Sequence, residues 1–325
     1  MHVFNSIESL TKVIGAKALN MALGNFDGVH LGHQRLIKGV VESAKRQNRQ
    51  SVVVTFDPHP LQYFGKSEDF KKIDSPTIRR SVLASLGVDA LLELKFDERL
   101  ARLSAEDFLN LLAANGLLRQ ISVGVDFRFG KGRLGDVHYL RQFCEENGIE
   151  AIIVDPVHVG NLVASSSQVR TWLRQGDVES AATMLGRSFM LRGIVVHGQK
   201  VGRTIGFPTA NISCTDQLIP GAGVYAGTLK VVSEVSSQLL GDNEFACVMN
   251  IGSRPTLAGS KKETTIEAHV FAPHGDFDLY EQTVELKFIS RLRDEKKFAD
   301  LGALKRQISI DIETAKKKLK DLVSL

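Results

Sequence analysis

Residues Gly24–Ile37 read GNFDGVHLGHQRLI, and the chain changes character across them. Immediately before lies LNMAL (19–23), apolar enough for a strand buried on both faces. After it, Leu36, Ile37, Val40, Val41 and Ala44 recur along one face of a helix. Gly24, Asp27, Gly28, His30, Gly32 and His33 therefore crowd a strand end and the first turn of a helix. Unpaired backbone N–H groups and the positive helix end make such a junction favourable for an anion. His30 and His33, three apart, can add imidazole N–H donors. Gly24 and Gly28 let the backbone approach a ligand closely. A histidine pair in a loop could instead merely cap the helix, but the glycines and Asp27 favour a ligand site.

Outward from this stretch the rhythm continues. SVVVTF (51–56), DALLELKF (89–96), ISVGVDF (121–127) and AIIVDPV (151–157) read as strands, separated by helical patterns such as RRSVLASLG and AEDFLNLLAANG. Alternation of this kind predicts an α/β domain with a mostly parallel sheet. From Arg187 onward the segments are β-rich and divided by Gly, Pro, Asp and Asn turns, as in a barrel or sandwich. A closing helix carries Leu301, Leu304, Ile308, Ile312, Ala315, Leu319 and Leu322 as one apolar stripe, suited to core packing. The expected domains are 1–186 and 187–325, both of autonomous size.

Composition bounds the function. The chain has 325 residues, 43% hydrophobic and 24% charged, with a formal charge of +4. No apolar run would cross a bilayer, the first residues lack a signal-peptide pattern, and the modest charge argues weakly for nucleic acid. Cys144, Cys214 and Cys247 are scattered without a CxxC pair, which disfavours a disulfide framework or zinc site and fits the cytoplasm. Neither a membrane, a nucleic acid nor an obligate protein partner is expected.

A second candidate site lies in RGIVVHGQKVGRTIGFPTANI, Arg192–Ile212. Gly193, Gly198, Gly202 and Gly206 punctuate it, and backbone N–H groups of such a loop can cradle phosphates without a P-loop helix. Thr209 and Asn211 flank Ala210, so in an extended chain they share a side and offer hard oxygens to Mg²⁺. A glycine-rich hairpin with polar turns would look similar. Glu267 sits between Ile266 and Ala268, as an ordinary surface glutamate or a base on a strand. Two phosphate-loop patterns fail in context. GAGVYA (221–226) follows Pro220 and leads into a strand, and in FGKG (129–132) the lysine precedes glycine rather than Ser or Thr.

GNFDGVHLGH, followed in order by TFDPHP (55–60), GVDFRFGKGRLGD (124–136) and SSSQVR (165–170), resembles the HxGH-type nucleotidylyltransferases. More narrowly, it resembles the adenylyltransferase half of the bacterial bifunctional riboflavin kinase/FAD synthetase family. GFPTAN, GVYAG (223–227), VMNIGSRPT (248–256), IEAH (266–269), DLY (278–280) and LRDEKKF (292–298) resemble the kinase half, again in order. The resemblance implies a Rossmann-like nucleotidylyltransferase domain followed by a β-barrel with a C-terminal helix. It also implies ATP-dependent conversion of riboflavin to FMN and of FMN to FAD, with Mg²⁺.

By the same resemblance, His30, His33 and Arg170 stabilise the phosphates, while Gly24, Phe26, Asp27, Gly28, Ser165, Ser166 and Ser167 bind nucleotide. Asp126, Phe127, Phe129 and Arg293 face flavin. In the kinase half Gly198, Gly202, Gly206 and Pro208 bind nucleotide, Thr209 and Asn211 hold the metal, and Glu267 is the general base. Three departures stand out: Ser167 replaces a usual Thr, Val125 a commonly polar residue, and Glu281 the glycine of LYG. Glu281 is expected in a turn with only a local effect. A different nucleotidylyltransferase joined to an unrelated β-domain, or a flavin-storage module, would be the rival readings.

Overall fold

The computed structural model describes residues 1–65, 70–198, 201–232, 244–255, 262–271 and 279–320. Thr256, Asp278 and Leu322, and most of the 236–245 surface stretch, lie outside them. The chain separates into two compact units, Met1–Lys72 with Pro76–Ser165, and Ile73–Ser75 with Ser166–Leu325.

The first unit holds β1 (His2–Phe4), β2 (Leu19–Leu23), β3 (Gln50–Asp57), β4 (Ala90–Lys95), β5 (Leu118–Gly124) and β6 (Glu150–Val154). They form one parallel sheet in the order β1-β4-β3-β2-β5-β6. A small hairpin of β7 (His158–Val159) and β8 (Leu162–Val163) follows. The helices are α1 (Ile7–Ile14), α2 (Leu31–Arg46), α3 (Pro60–Tyr63), α4 (Pro76–Ser85), α5 (Glu98–Arg102), α6 (Ala105–Ala113) and α7 (Val137–Glu146). Every residue of β2 is buried, Asn20 included, as expected of a central strand covered on both faces. The connection reverses at β2, which places the β2–β5 crevice where open α/β sheets bind ligands.

A buried polar network ties the C-terminal end of α2 to the starts of β2 and β5. Asn20 Nδ2 donates to Ser43 Oγ and to Gln47 Oε1, both at 2.9 Å, and Ser43 Oγ donates to Gln120 Oε1 at 3.0 Å. Two strands end earlier than the sequence pattern suggests. β5 stops at Gly124, whose carbonyl accepts from Phe127 N at 3.0 Å, closing a turn over residues expected to be strand. β6 stops at Val154, just before Asp155-Pro156, since proline has no N–H to extend the ladder.

In the second unit come α8 (Ser166–Gln175), α9 (Val178–Leu185), β9 (Phe189–Val196), α10 (Val201–Thr204), β10 (Ala210–Ser213) and β11 (Gly223–Val231). After them come β12 (Glu244–Pro255), β13 (Lys262–Val270), β14 (Thr283–Arg293) and α11 (Leu301–Leu319). The strands close into an antiparallel barrel, β10-β13-β12-β11-β14-β9, which leaves no open edge. Alternation along β9 and β14 points Phe189, Leu191, Val195, Val284, Leu286 and Phe288 inward. On the outside, α11 packs Ala315 and Leu319 against Ala226 and Ala246, small residues that admit the helix closely. The stripe is thus used for packing, although Leu301 at its start stays exposed.

Two features complete this unit. The segment Ile73–Ser75 is built into it: Asp74 takes the Arg187 guanidinium on both carboxylate oxygens at 2.7 and 2.6 Å, and Gln217 Nε2 donates to the Ile73 and Met190 carbonyls. Helices α8 and α9 also pack within it, where Glu179 accepts from Arg291 N at 3.0 Å and the Tyr225 hydroxyl donates to the Gly221 carbonyl. Glu281 has φ +63° in the turn before β14, a conformation that glycine adopts freely.

Candidate functional sites

At the end of β2 the chain curls tightly before entering α2. Phe26 (φ +48°), Gly28 (φ +80°) and Val29 (φ +39°) all lie in the left-handed region, which for a β-branched valine is strained. The curl is pinned by Thr55 Oγ1 donating to Asn25 O at 3.0 Å and Gln34 Nε2 to Val29 O at 2.9 Å. Both residues lie within stretches quoted from the sequence, TFDPHP and GNFDGVHLGHQRLI, but their roles in pinning the loop show only once it is folded. Phe26, Asp27, Gly28, Val29 and His30 are all buried. The Phe26 ring folds back on Gly24, where an added Cβ would stand 3.0 Å from it.

The curl delivers His30 as the N-cap of α2, its Nδ1 accepting from His33 N at 3.4 Å. That places the remaining proton of the neutral ring on Nε2. The His30 and His33 rings stack with centroids 3.6 Å apart, and Gly32 leaves the space His30 needs. Burial lowers the His30 pKa to about 4, with nearby Asp126 opposing the shift. Burial also pushes His33 well below its ordinary value, and the adjacent His30 adds to this. Both rings are therefore neutral at pH 7, each with one N–H available at a positive helix end. His33 Nδ1 is buried without a hydrogen-bond partner among the described residues.

The other residues named for this half are dispersed. Asp126 is exposed in the turn after β5, within electrostatic reach of His30. Phe127 and Phe129 stack at 5.4 Å, but Phe129 is buried in the core beside Phe108, leaving the half-buried Phe127 as the accessible ring. Val125 is exposed. Ser165 precedes α8, Ser166 and Ser167 form its first turn, and Arg170 follows one turn on. The helix starts at Ser166, so two of the three serines belong to its N-terminal turn. Ser165 falls in the first compact unit, and Ser166, Ser167 and Arg170 in the second.

In the barrel the second set of residues is organised by strand register. Asn211 on β10 lies directly opposite Glu267 on β13, and Glu267 lies directly opposite Asn250 on β12. Their neighbours Ile212, Ile266 and Ile251 are buried inward, so the three polar side chains share the outer face. The row runs on through Val224 to Arg293 on β14. Gly198 faces the Asn211 carboxamide so closely that a Cβ would overlap it, and a Cβ on Gly202 would stand 3.1 Å from the Thr209 hydroxyl. Gly206 has φ +87°, and Pro208 O lies 2.8 Å from His269 Nδ1. Arg293 is engaged elsewhere: its Nε and Nη2 donate to both oxygens of buried Asp311 at 2.7–3.0 Å, joining β14 to α11.

The donors beside Asn211 are hard oxygens: a hydroxyl, a carboxamide and one carboxylate. Among the described residues no cluster of three His, Cys, Asp or Glu could cage a metal. This set suits Mg²⁺, which takes much of its coordination from phosphates and water. The cradle left by Gly198 and Gly202 agrees with that. Asn250 was missed in the sequence, although it carries the signal that marked Glu267, a polar residue alternating with buried ones.

Comparison with known proteins places both halves. Residues 15–168 match the FAD synthetase family and residues 185–319 the riboflavin kinase family. The chain is 34% identical to the bifunctional riboflavin kinase/FMN adenylyltransferase of Buchnera aphidicola from Schizaphis graminum over 98% of both chains. It is 36% identical to the protein of that name in Escherichia coli K12, over 91% of each chain. It is also 34% identical to the one in Bacillus subtilis 168, over 91% of this chain and 90% of that one. A crystal structure from Streptococcus pneumoniae, described as a macrolide-efflux protein, shares the fold with a TM-score of 0.82 at 29% identity, over 94% of this chain and 96% of that one. Fold and matches together define a two-unit flavin-nucleotide enzyme family. The chain belongs to the bifunctional riboflavin kinase/FMN adenylyltransferase family.

Proposed function

We propose that this protein phosphorylates riboflavin to FMN and then adenylylates FMN to FAD, using ATP in both steps and releasing pyrophosphate in the second. The observation that carries the reading is the in-register pair of Asn211 and Glu267 on the barrel's outer face, with Gly198 against the Asn211 carboxamide. We assign residues 187–325 to the kinase and 1–186 to the adenylyltransferase.

In the kinase half, Gly198, Gly202, Gly206 and Pro208 shape the nucleotide loop. Thr209 and Asn211 would hold Mg²⁺, which when bound neutralises phosphate charge and orients the transferring group. Glu267 accepts the proton of the riboflavin 5′-hydroxyl as that oxygen attacks the γ-phosphorus and ADP departs. Phosphoryl transfer depends mainly on positioning and charge stabilisation, so one base suffices. Arg293 acts through its pairing with Asp311, setting the flavin-side edge.

In the adenylyltransferase half the FMN phosphate is already an anion, so no enzyme nucleophile is required. Its oxygen attacks the α-phosphorus of ATP and the bond to the β-phosphate oxygen breaks. His30 Nε2–H, the His33 ring and Arg170 donate to the departing pyrophosphate, which is where charge accumulates. Gly24, Phe26, Asp27 and Gly28 receive the nucleotide, Ser165, Ser166 and Ser167 its phosphates, and Asp126 and Phe127 the flavin, with Phe129 packed behind. We place both reactions in the cytoplasm, since all three cysteines are free thiols. No helix among the described residues is long and apolar enough to cross a membrane.

Incubation with riboflavin, ATP and MgCl₂, followed by chromatography, tests the proposal. FMN should form first and FAD second. Accumulation of neither, by protein that is folded, would overturn it.

A further inference from the structure

We infer that His269 is a positioning residue for the kinase reaction, fixing the peptide that carries Thr209 so that its hydroxyl is aimed at the metal. The inference rests on the assignment of Thr209 to Mg²⁺. Pro208, just before it, has no backbone N–H, so its carbonyl is the one main-chain group by which it can be held. That carbonyl accepts from His269 Nδ1 at 2.8 Å. A carbonyl oxygen only accepts, so Nδ1 is the nitrogen that carries the proton. The Pro208 oxygen shares one peptide plane with the N and Cα of Thr209, and the bond from His269 fixes how that plane is turned. Thr209 is β-branched and has few χ1 rotamers open to it, so the direction of its hydroxyl follows the backbone.

Strand register explains why a side chain has this task. β10 begins at Ala210, opposite Ala268 on β13, and one further step would bring Thr209 opposite His269. The ladder has stopped there, and the imidazole reaches the loop instead. Two phenylalanines hold the ring in T-shaped contacts, Phe207 and Phe271, each with its centroid 5.8 Å away. On the far side of the loop, Phe207 N donates to Gly202 O at 2.8 Å, and a Cβ on Gly202 would stand 2.4 Å from Phe207 O. Residues 207–209 are thus seated on Gly202 and tied to β13. His269 and Glu267 lie two apart on that strand and share its outer face. One strand therefore carries the base and also sets the metal-binding hydroxyl, which fixes the two relative to each other. This gives a task to the histidine of IEAH (266–269), which the proposed mechanism leaves unused.

The test uses the full-length protein with His269→Phe and His269→Asn, and Thr209→Ala in parallel. His269→Phe keeps an aromatic ring between Phe207 and Phe271 and removes the donor. His269→Asn loses the ring but sets an N–H close to where Nδ1 stood. In His269→Phe, kcat for FMN formation should fall about 10–100-fold, the usual loss when a group orienting a metal ligand is removed. In His269→Asn it should stay within about threefold of the parent, below that range. ADP binding, measured by calorimetry with MgCl₂ and with EDTA, gives a reading independent of turnover. The tightening of ADP binding by Mg²⁺ should shrink about tenfold or more in His269→Phe and persist in His269→Asn. The adenylyltransferase half is the same in every variant, so FAD formation from supplied FMN should not move. A packing role predicts the reverse order, with Phe tolerated and Asn damaged, and that order overturns the inference. So does normal Mg²⁺ dependence in His269→Phe. If His269→Phe loses FAD formation as well, its fold has suffered, and His269→Leu takes its place with the same expected loss. If Thr209→Ala keeps full Mg²⁺ dependence, the metal assignment falls, and this is seen separately from the His269 result.

Discussion

The two candidate sites are built by opposite means. The histidine site is made by a backbone forced into unusual shape, with Phe26, Gly28 and Val29 at positive φ and two rings stacked behind the curl. The barrel site is made by regular strands, whose register alone brings Asn211, Glu267 and Asn250 into one row. In the first, precision comes from local strain paid for by the buried core around it. In the second it comes from long-range pairing, and the local backbone is ordinary. Damage should therefore be local and chemical in the barrel, and partly conformational at the histidine loop.

The sharpest test of this contrast is Glu267→Gln, which keeps size and removes the base. Riboflavin phosphorylation should fall about 10²–10⁴-fold while FMN adenylylation is unchanged. Kinase turnover within about threefold of the parent would lie below that range and remove Glu267 from the mechanism. Next in size, His33→Ala and Arg170→Ala should each lower FAD formation about 10–10³-fold, as lost transition-state donors do, and leave FMN formation intact. Equal loss of both activities in steady-state assays would show a folding defect instead. A smaller effect is expected from Gly198→Ala, whose Cβ displaces the Asn211 carboxamide. Kinase kcat should drop about tenfold, with a raised Mg²⁺ requirement, because small misplacements of a positioning group are costly.

The pH dependence separates the sites in another way. Folded His30 titrates at about 4 rather than 6.5, so the unfolded chain binds its proton first as pH falls. The stability tied to neutral His30 is fully present above 6.5 and is lost as pH drops from 6.5 towards about 4. Across the full window the loss is on the order of 3 kcal/mol. Urea midpoints between pH 7 and pH 4.5 would measure it, and His30→Gln should flatten the curve.

Much of this was legible in the sequence, for identifiable reasons. The strand–loop–helix at 19–46 and the alternation around it are local patterns, and local patterns decide secondary structure. The barrel's β-rich rhythm was visible too. What could not be read was pairing: nothing near Glu267 says that its neighbours are Asn211, 56 positions earlier, and Asn250. The histidines could be placed near each other, but their neutrality depends on burial by residues far along the chain. Phe129 shows the reverse error of emphasis, a ring in a promising motif that the core uses. Strand ends at Gly124 and Val154 were set by a turn and a proline that the apolar pattern overran.

The smallest effect expected concerns the kinase half alone. Residues 187–325 should fold and phosphorylate riboflavin, but they lack the Asp74 that pairs with Arg187 and the α8–α9 packing at Arg291. A fragment starting at residue 166 should therefore melt higher than one starting at 187, by several degrees per kcal/mol of restored contact. Equal melting temperatures would show that neither helix contributes.

The embedded segment Ile73–Ser75 also bears on the order in which the chain is made. Asp74 leaves the ribosome 113 residues before Arg187, and Ile73 precedes its Gln217 contact by 144. A vectorially growing chain tends to fold its N-terminal domain first. Here three residues inside that domain's span must be held back, with Ile73 uncovered and Asp74 in water, until the barrel is complete. Translation of the second half thus finishes a structure whose first piece was laid down during the first. A chain stalled near residue 190 should expose this segment to protease, and the finished protein should protect it.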